Sequence, residues 1–169
     1  QMVTEIFHAL KSVLKDGGFD TTVGDEGGFA PGVAIKPAKN KFGYEIKGVM
    51  TLEKALAALK TATEKAGYKF GTDIKIALDV ASSEFCDKNT KKGKPETYTF
   101  KKSTKKTLKS ADMVKLYEKL IDKYSIFSIE DGLDEADWAG WKVMTDKLGA
   151  KINLVGDDLF VTNPTIFDE

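Results

Sequence analysis

The chain has 169 residues, with 26 basic and 26 acidic side chains, so a formal net charge of zero gives it no bulk preference for nucleic acid or anionic membranes. It is 41% hydrophobic and 31% charged, as in ordinary globular proteins, and its apolar runs fall short of the roughly 18 residues of a membrane span. The one cysteine, Cys86, excludes an internal disulfide and, with no signal peptide visible, favours a cytoplasmic protein.

The first part of the chain predicts two amphipathic helices separated by a glycine-rich loop. Apolar side chains recur at helical spacing from Met2, and Gly17-Gly18 ends that helix. The loop that follows contains the run GDEGGFAP (24–31). Thr51 is the predicted N-cap of the second helix, and Gly67 ends it.

Strands and helices alternate in the rest of the chain. The predicted strands are IKIALDV (74–80), IFSIE (126–130) and INLVG (152–156); the predicted helices begin at Ser110, at about Asp134 and at Pro164, after Asn163 as N-cap. Such alternation with short connections indicates a parallel sheet.

The fold class predicted from this alternation is α/β, a partial (β/α)8-type barrel. A complete barrel takes about 250 residues, so residues 1–169 are expected to supply about half of one. The chain begins at Gln1 and stops at Glu169 within a predicted helix, and we therefore expect a partial sequence, a fragment of one barrel domain.

A lysine-rich stretch, residues 88–109, interrupts the alternation. Gly93 and Pro95 predict a turn, and TYTF (97–100) predicts a short strand. Because the whole chain is neutral and few aromatic residues lie among the lysines, a solvated insertion hairpin is favoured over a nucleic-acid patch.

Three predicted strands end in acidic residues, at Asp79, at Glu130 and at Asp157. In a (β/α) barrel the C-terminal strand ends converge on one face, so these carboxylates should lie close together. They would repel one another, and a hard divalent cation would neutralise them; oxygen ligands without histidine or cysteine favour Mg²⁺ over zinc. The alternative is that the acids cap the following helices or stay solvated.

Five runs in a fixed order resemble enolases, the phosphopyruvate hydratase family. They are GDEGGFAP (24–31), ALDVASSEF (77–85), SIEDGLDEADW (128–138), LVGDDL (154–159) and VTNP (161–164). The resemblance spans nearly the whole chain, and SIEDG, LDEADW and GDD are closer to the bacterial members than to the animal or fungal ones.

The resemblance implies a site for tightly bound Mg²⁺. Its protein ligands would be Asp79, Glu130 and Asp157. The substrate carboxylate would be a further ligand of the same metal. Glu130 and Asp157 would therefore also contribute to substrate binding. The adjacent Asp131 and Asp158 would support these ligands from behind.

The implied reaction is the reversible dehydration of 2-phosphoglycerate to phosphoenolpyruvate. Glu26, the Glu of DEGG, matches the residue that helps protonate the departing hydroxyl. In enolases the lysine that removes the proton from carbon follows the VTNP run (161–164), outside the 169 residues. We therefore expect residues 1–169 alone to lack hydratase activity.

Other functions stay open. Other enzymes of the enolase superfamily, such as acid-sugar dehydratases, racemases or cycloisomerases, share the carboxylate triad, but DEGG and SSEF favour enolase itself. A non-catalytic role is the second alternative: enolases also occur at cell surfaces, and the lysine-rich stretch could bind a partner such as plasminogen. The resemblance further implies a homo-oligomer, a dimer or larger, and nucleic acid is not an expected partner.

Overall fold

The structure, a computed structural model, describes residues 1–37, 44–87 and 96–168. These residues form two compact units, Gln1–Ile74 and Lys75–Glu169. None of the helices in this part of the chain is long and apolar enough to cross a bilayer. The glycine–proline turn predicted at 93–95 lies outside the described residues.

The first unit contains the two predicted helices, α1 (Met2–Asp16) and α2 (Leu52–Lys65), which pack against each other. Ile6 and Leu14 of α1 and Leu56 of α2 are buried. The predicted cap is confirmed: the Thr51 hydroxyl oxygen accepts a hydrogen bond from the Lys54 amide at 3.3 Å.

A two-stranded antiparallel hairpin between the helices was not predicted. It pairs β1 (Val33–Pro37) with β2 (Tyr44–Val49). The alternation of apolar and charged residues in YEIKGV (44–49) is the sequence signal that could have identified β2.

The second unit holds the predicted alternation of strands and helices. In chain order its elements are β3 (Ile76–Asp79), a 3-10 turn (Ser82–Phe85), β4 (Thr97–Thr99), β5 (Thr107–Lys109), α3 (Ser110–Tyr124), β6 (Ile126–Glu130), α4 (Trp138–Leu148), β7 (Asn153–Val155) and α5 (Pro164–Phe167). Strands β4 and β5 form an antiparallel hairpin inside the lysine-rich stretch. We call this pair the insert hairpin.

Strands β3, β6 and β7 form a parallel sheet in the order β3-β6-β7, which confirms the α/β fold class. Within the described residues the sheet is part of a barrel and does not close. One face packs against α3, where Met113, Tyr117 and Ile129 are buried. Phe127, near the start of β6, is 53% exposed, so β6 is not buried along its whole length.

Helix α4 begins later than its predicted start at about Asp134, because two side chains fold the preceding segment into turns. The Asp134 carboxylate accepts a hydrogen bond from the Ala136 amide, and Asp137 then caps the helix by accepting one from the Gly140 amide, both at 3.0 Å. The predicted start of α5 is confirmed, with Asn163 as N-cap and Pro164 as the first helical residue.

Candidate metal centre at the strand ends

Two acidic residues face each other where β3 and β6 end. Asp79 is paired in register with Glu130 across the parallel sheet, and Asp131 follows directly. One carboxylate oxygen of each of these three residues lies within 4.8 Å of the other two. Asp79 is exposed, Glu130 is half-buried and Asp131 is only 4% exposed. The structure therefore brings together two of the three predicted ligands and one predicted supporting residue.

Asp131 connects the ends of all three parallel strands. Its backbone amide donates to the Val155 carbonyl at 3.0 Å, and its carbonyl accepts from the Ser82 amide at 3.1 Å. Its two carboxylate oxygens accept from the backbone amides of Asp157 and Asp158, at 3.1 and 3.0 Å. Four hydrogen bonds thus tie this residue to the last residue of β7 and to the loops that follow β3 and β7.

Asp157 and Asp158 have exposed side chains in the loop after β7. Asp157 does not belong to the group of carboxylates within 4.8 Å, although its charge acts on that group. Its backbone is held by Asp131 and by a hydrogen bond from the Val161 amide to its carbonyl, at 2.8 Å. The assignment of Asp157 as a metal ligand remains a prediction.

The pKa values of two carboxyl groups at this site, those of Glu130 and Asp158, are raised. Partial burial, followed by the charges of Asp79, Asp131 and Asp157, raises the pKa of Glu130 above its ordinary value. The charge of Asp131 is the main cause that raises the pKa of Asp158. A divalent cation would remove this repulsion, and an oxygen-only donor set suits Mg²⁺. The residues present therefore fit a magnesium ion.

Non-glycine residues adopt left-handed backbone conformations in the loops around the acidic group. The φ angles are +45° at Ala81, +43° at Asp131 and +42° at Val161. Such conformations are uncommon for residues with a Cβ and persist where surrounding contacts hold them in place. The Ala81 amide is bonded to the Asp79 carboxylate at 3.2 Å, and Asp131 has the four bonds described above.

Glu26 belongs to the other unit, in a tight turn that presents it to solvent. Gly27 has a φ of +83°, and the Gly24 amide donates to the Gly28 carbonyl at 2.8 Å. This turn explains the glycines around Glu26, because a positive φ favours glycine. The proposed role of Glu26 as an acid stays a prediction.

Sequence reasoning missed a fully buried residue of the insert hairpin, Tyr98. Its hydroxyl donates to the Asp137 carboxylate at 2.8 Å and accepts from the Asp134 amide at 2.9 Å, in the loop that follows Glu130. The signal that could have found it is the pair of aromatic residues in TYTF (97–100), set between lysine runs. The lysines of the insert hairpin are therefore exposed to solvent, whereas Tyr98 is buried.

The model of one protein family, described as the enolase C-terminal TIM barrel domain, matches residues 1–169, the whole of the chain. The match agrees with the parallel sheet and with carboxylates at the C-terminal ends of its strands. The chain therefore belongs to the family of enolase C-terminal TIM-barrel domains.

Proposed function

We propose that this chain carries the metal-binding part of an enolase of bacterial type, a lyase that catalyses the reversible, Mg²⁺-dependent dehydration of 2-phosphoglycerate to phosphoenolpyruvate. The observation that carries the proposal is the placement of Asp79 opposite Glu130 at the ends of adjacent parallel strands, with Asp131 beside them. Family membership over the whole chain supports it.

Each acidic residue has a separate part in this proposal. Asp79, Glu130 and Asp157 would hold the metal, and Glu130 and Asp157 would also lie beside the substrate carboxylate. Asp131 and Asp158 would orient these ligands, which agrees with the hydrogen bonds from Asp131 to the loop after β7.

The chemical need for this arrangement is the weak acidity of a carbon next to a carboxylate. Bound Mg²⁺ would stabilise the negative charge that develops on the substrate when that carbon loses its proton. Glu26 would supply a proton to the departing hydroxyl. Several carboxylates lie close together at this site, and burial and their charges raise the pKa of Glu130. This arrangement supports a site that binds a cation.

The test uses the full-length protein and two readouts, formation of phosphoenolpyruvate and binding of Mn²⁺ as a paramagnetic substitute for Mg²⁺. The variants are Asp79→Asn, Glu130→Gln and Asp157→Asn, which remove one charge each at nearly constant shape. Asp122→Asn, on the exposed side of α3, is the matched control. We expect each ligand variant to lose at least about 100-fold in activity and to bind Mn²⁺ more weakly, because each removes a charged ligand.

Two results would count against the proposal. Unchanged Mn²⁺ affinity in Asp79→Asn and Glu130→Gln would exclude these residues as ligands. Normal metal binding without turnover of 2-phosphoglycerate, together with turnover of an acid sugar, would assign the chain to another enzyme of the enolase superfamily.

The exposed lysines of the insert hairpin support a second, non-catalytic proposal, the binding of plasminogen at the surface of a protein that otherwise acts in the cytoplasm. Between β4 and β5 the exposed lysines are Lys101, Lys102, Lys105 and Lys106. Plasminogen binding should survive alanine at Asp79, Glu130 and Asp157 and disappear when these lysines are replaced. A homo-oligomer is also proposed, and sedimentation of the full-length protein tests it.

A further inference from the structure

Two loops of the candidate metal centre meet at one side chain of the insert hairpin, Tyr98. Its hydroxyl donates to Asp137 Oδ2 at 2.8 Å and accepts from the backbone amide of Asp134 at 2.9 Å. Both partners belong to the loop 131–137, which follows β6 and begins at Asp131. The hydroxyl therefore fixes the far end of the loop whose first residue lies in the acidic group.

The ring of Tyr98 contacts the other loop, which follows β3. The Phe85 ring meets it edge-on, with 6.1 Å between the ring centroids. Cys86, the next residue, forms an antiparallel bridge with the Tyr98 backbone. This loop begins just after Asp79, so Tyr98 touches both of the loops that follow the paired carboxylates.

The hydrogen bonds at the Tyr98 hydroxyl are strong because they lie in a buried, charged environment. Asp137 is 6% exposed and also accepts from the Ser110 hydroxyl at 2.5 Å and from the Gly140 amide at 3.0 Å. Burial raises the pKa of Tyr98, so its hydroxyl stays protonated and donates throughout the physiological range. The bond from the Tyr98 hydroxyl to the Asp137 carboxylate is charge-assisted, and such bonds are about twice as strong as neutral ones.

A second phenol supports the same loop from helix α3. The hydroxyl of Tyr117, a fully buried residue, donates to the Gly132 carbonyl at 2.7 Å. The loop 131–137 is thus held near its start by Tyr117 and near its end by Tyr98. Tyr98 differs in that it also contacts the loop after β3.

We propose that Tyr98 is a positioning residue for the candidate metal centre. Its hydroxyl fixes the loop after β6 and its ring fixes the loop after β3, so that Asp79 and Glu130 are held at a separation that one divalent cation can bridge. This inference rests on the proposed function, since it requires these two carboxylates to be metal ligands. Residues that orient metal ligands from behind typically change metal affinity by about 10–100-fold.

The test measures Mn²⁺ binding to the full-length protein by the electron paramagnetic resonance signal of the free ion. Tyr98→Phe keeps the ring and removes the hydroxyl, and we expect its Kd for Mn²⁺ to rise about tenfold. Tyr124→Phe is the matched control, a buried phenol in the last turn of α3, at the opposite end of β6 from Glu130. Mn²⁺ binding by both variants is measured at a temperature well below their unfolding midpoints.

The outcomes separate positioning from general stability. A Kd unchanged in Tyr98→Phe would overturn the inference, and so would an equal rise in Tyr124→Phe, because loss of stability would then explain both. If Tyr98→Phe does not fold, Asp137→Asn removes the charge of the carboxylate to which the Tyr98 hydroxyl donates, and an unchanged Kd there would overturn the inference. Wild-type protein that binds no Mn²⁺ would contradict the proposed function first and this inference with it.

Discussion

The carboxylate of Asp131 accepts a hydrogen bond from the backbone amide of Asp157, with 3.1 Å between Oδ1 and N. The second oxygen accepts from the next amide, that of Asp158, at 3.0 Å. A buried carboxylate thereby holds the backbone of a loop whose side chains carry the same charge. The position of the predicted ligand Asp157 thus depends on Asp131, although the two carboxylates repel each other.

Asp131→Ala should therefore destabilise the protein. The change leaves the amides of Asp157 and Asp158 without their charged acceptor, and hydrogen bonds to charged groups contribute about 1.5–3 kcal/mol each. Relief of repulsion offsets part of this loss, so we expect the free energy of unfolding to fall by about 1–3 kcal/mol. Urea denaturation without divalent metal measures it.

Asp158→Ala is the control for charge alone. The charge of Asp131 raises the pKa of Asp158, so removing the Asp158 carboxylate relieves repulsion and breaks no bond that holds the loop. This variant should be as stable as wild type or more stable in the absence of metal. If Asp131→Ala behaves in the same way, the two amide bonds do not hold the loop.

The helices, the parallel strands and their caps follow from local sequence patterns. Thr51 and Asn163 are caps that a sequence alone identifies, because each is a short polar residue at the start of an apolar helical pattern. The closeness of Asp79 and Glu130 also followed, because both end apolar strands and parallel strands share one C-terminal edge; their pairing in register did not.

The bonds that organise the site could not be predicted in the same way. The capture of two amides by Asp131 depends on the register of β6 against β7 and on a left-handed backbone at a residue with a Cβ. Tyr98 binds a carboxylate 39 residues away, and sequence periodicity has no information on such a pair.

Cys86 should react slowly with alkylating agents in the folded protein. Cys86 is 9% exposed, and its thiol donates to the Glu96 carboxylate at 3.6 Å. Burial is the main cause that raises the pKa of this thiol to about 12, and the charges of Asp134 and Glu96 add to it. An unfolded thiol, with a pKa of about 8.5, is half ionised at pH 8.5. We expect alkylation by iodoacetamide at pH 8.5 to be at least about 100-fold slower in the folded protein than in the protein unfolded in urea. Mass spectrometry measures both rates.

The same pKa sets the direction of a pH effect on stability. Because the folded state raises the pKa of Cys86, the thiol form stabilises the fold below the unfolded pKa of about 8.5, and this contribution is lost as the pH rises towards about 12. Cys86→Ala should remove this part of the alkaline loss of stability. Equal alkylation rates with and without urea would show that the thiol is accessible and ionised in the fold.

Ser125→Gly should stabilise the protein. Ser125 is an exposed residue between α3 and β6 with φ +48° and ψ +47°, a left-handed conformation. That conformation costs a residue with a Cβ about 1–2 kcal/mol, and glycine at this position removes the cost. The greater freedom of glycine in the unfolded chain lowers the stability by about 0.4–1 kcal/mol and so offsets part of that gain. We expect the free energy of unfolding to rise by about 0.5–1 kcal/mol in urea denaturation.

Ala57→Gly is the matched control for the introduction of glycine. It lies on the exposed side of α2, where glycine should cost about 1 kcal/mol. The two changes should therefore have opposite signs. A loss of stability in both would mean that the backbone at Ser125 is not strained.

Gly140→Ala should destabilise the protein although alanine is the better helix former by about 1 kcal/mol. Gly140 lies in the first turn of α4, and a Cβ there would meet Asp137, 2.6 Å from its Cγ and 2.7 Å from its Oδ1. The Asp137 carboxylate cannot move away without losing its bonds from Tyr98 and Ser110. We expect a net loss of about 2–3 kcal/mol in urea denaturation.

Gly32→Ala separates this steric effect from the general effect of adding a methyl group. Among the described residues, a Cβ at Gly32 would meet nothing within 4 Å, so stability should change by less than about 0.5 kcal/mol. If Gly140→Ala gains stability instead, helix propensity outweighs the contact, and the Asp137 carboxylate can shift while it keeps the bond from Tyr98. The same hydroxyl would then be too loosely held to position the loop after β6.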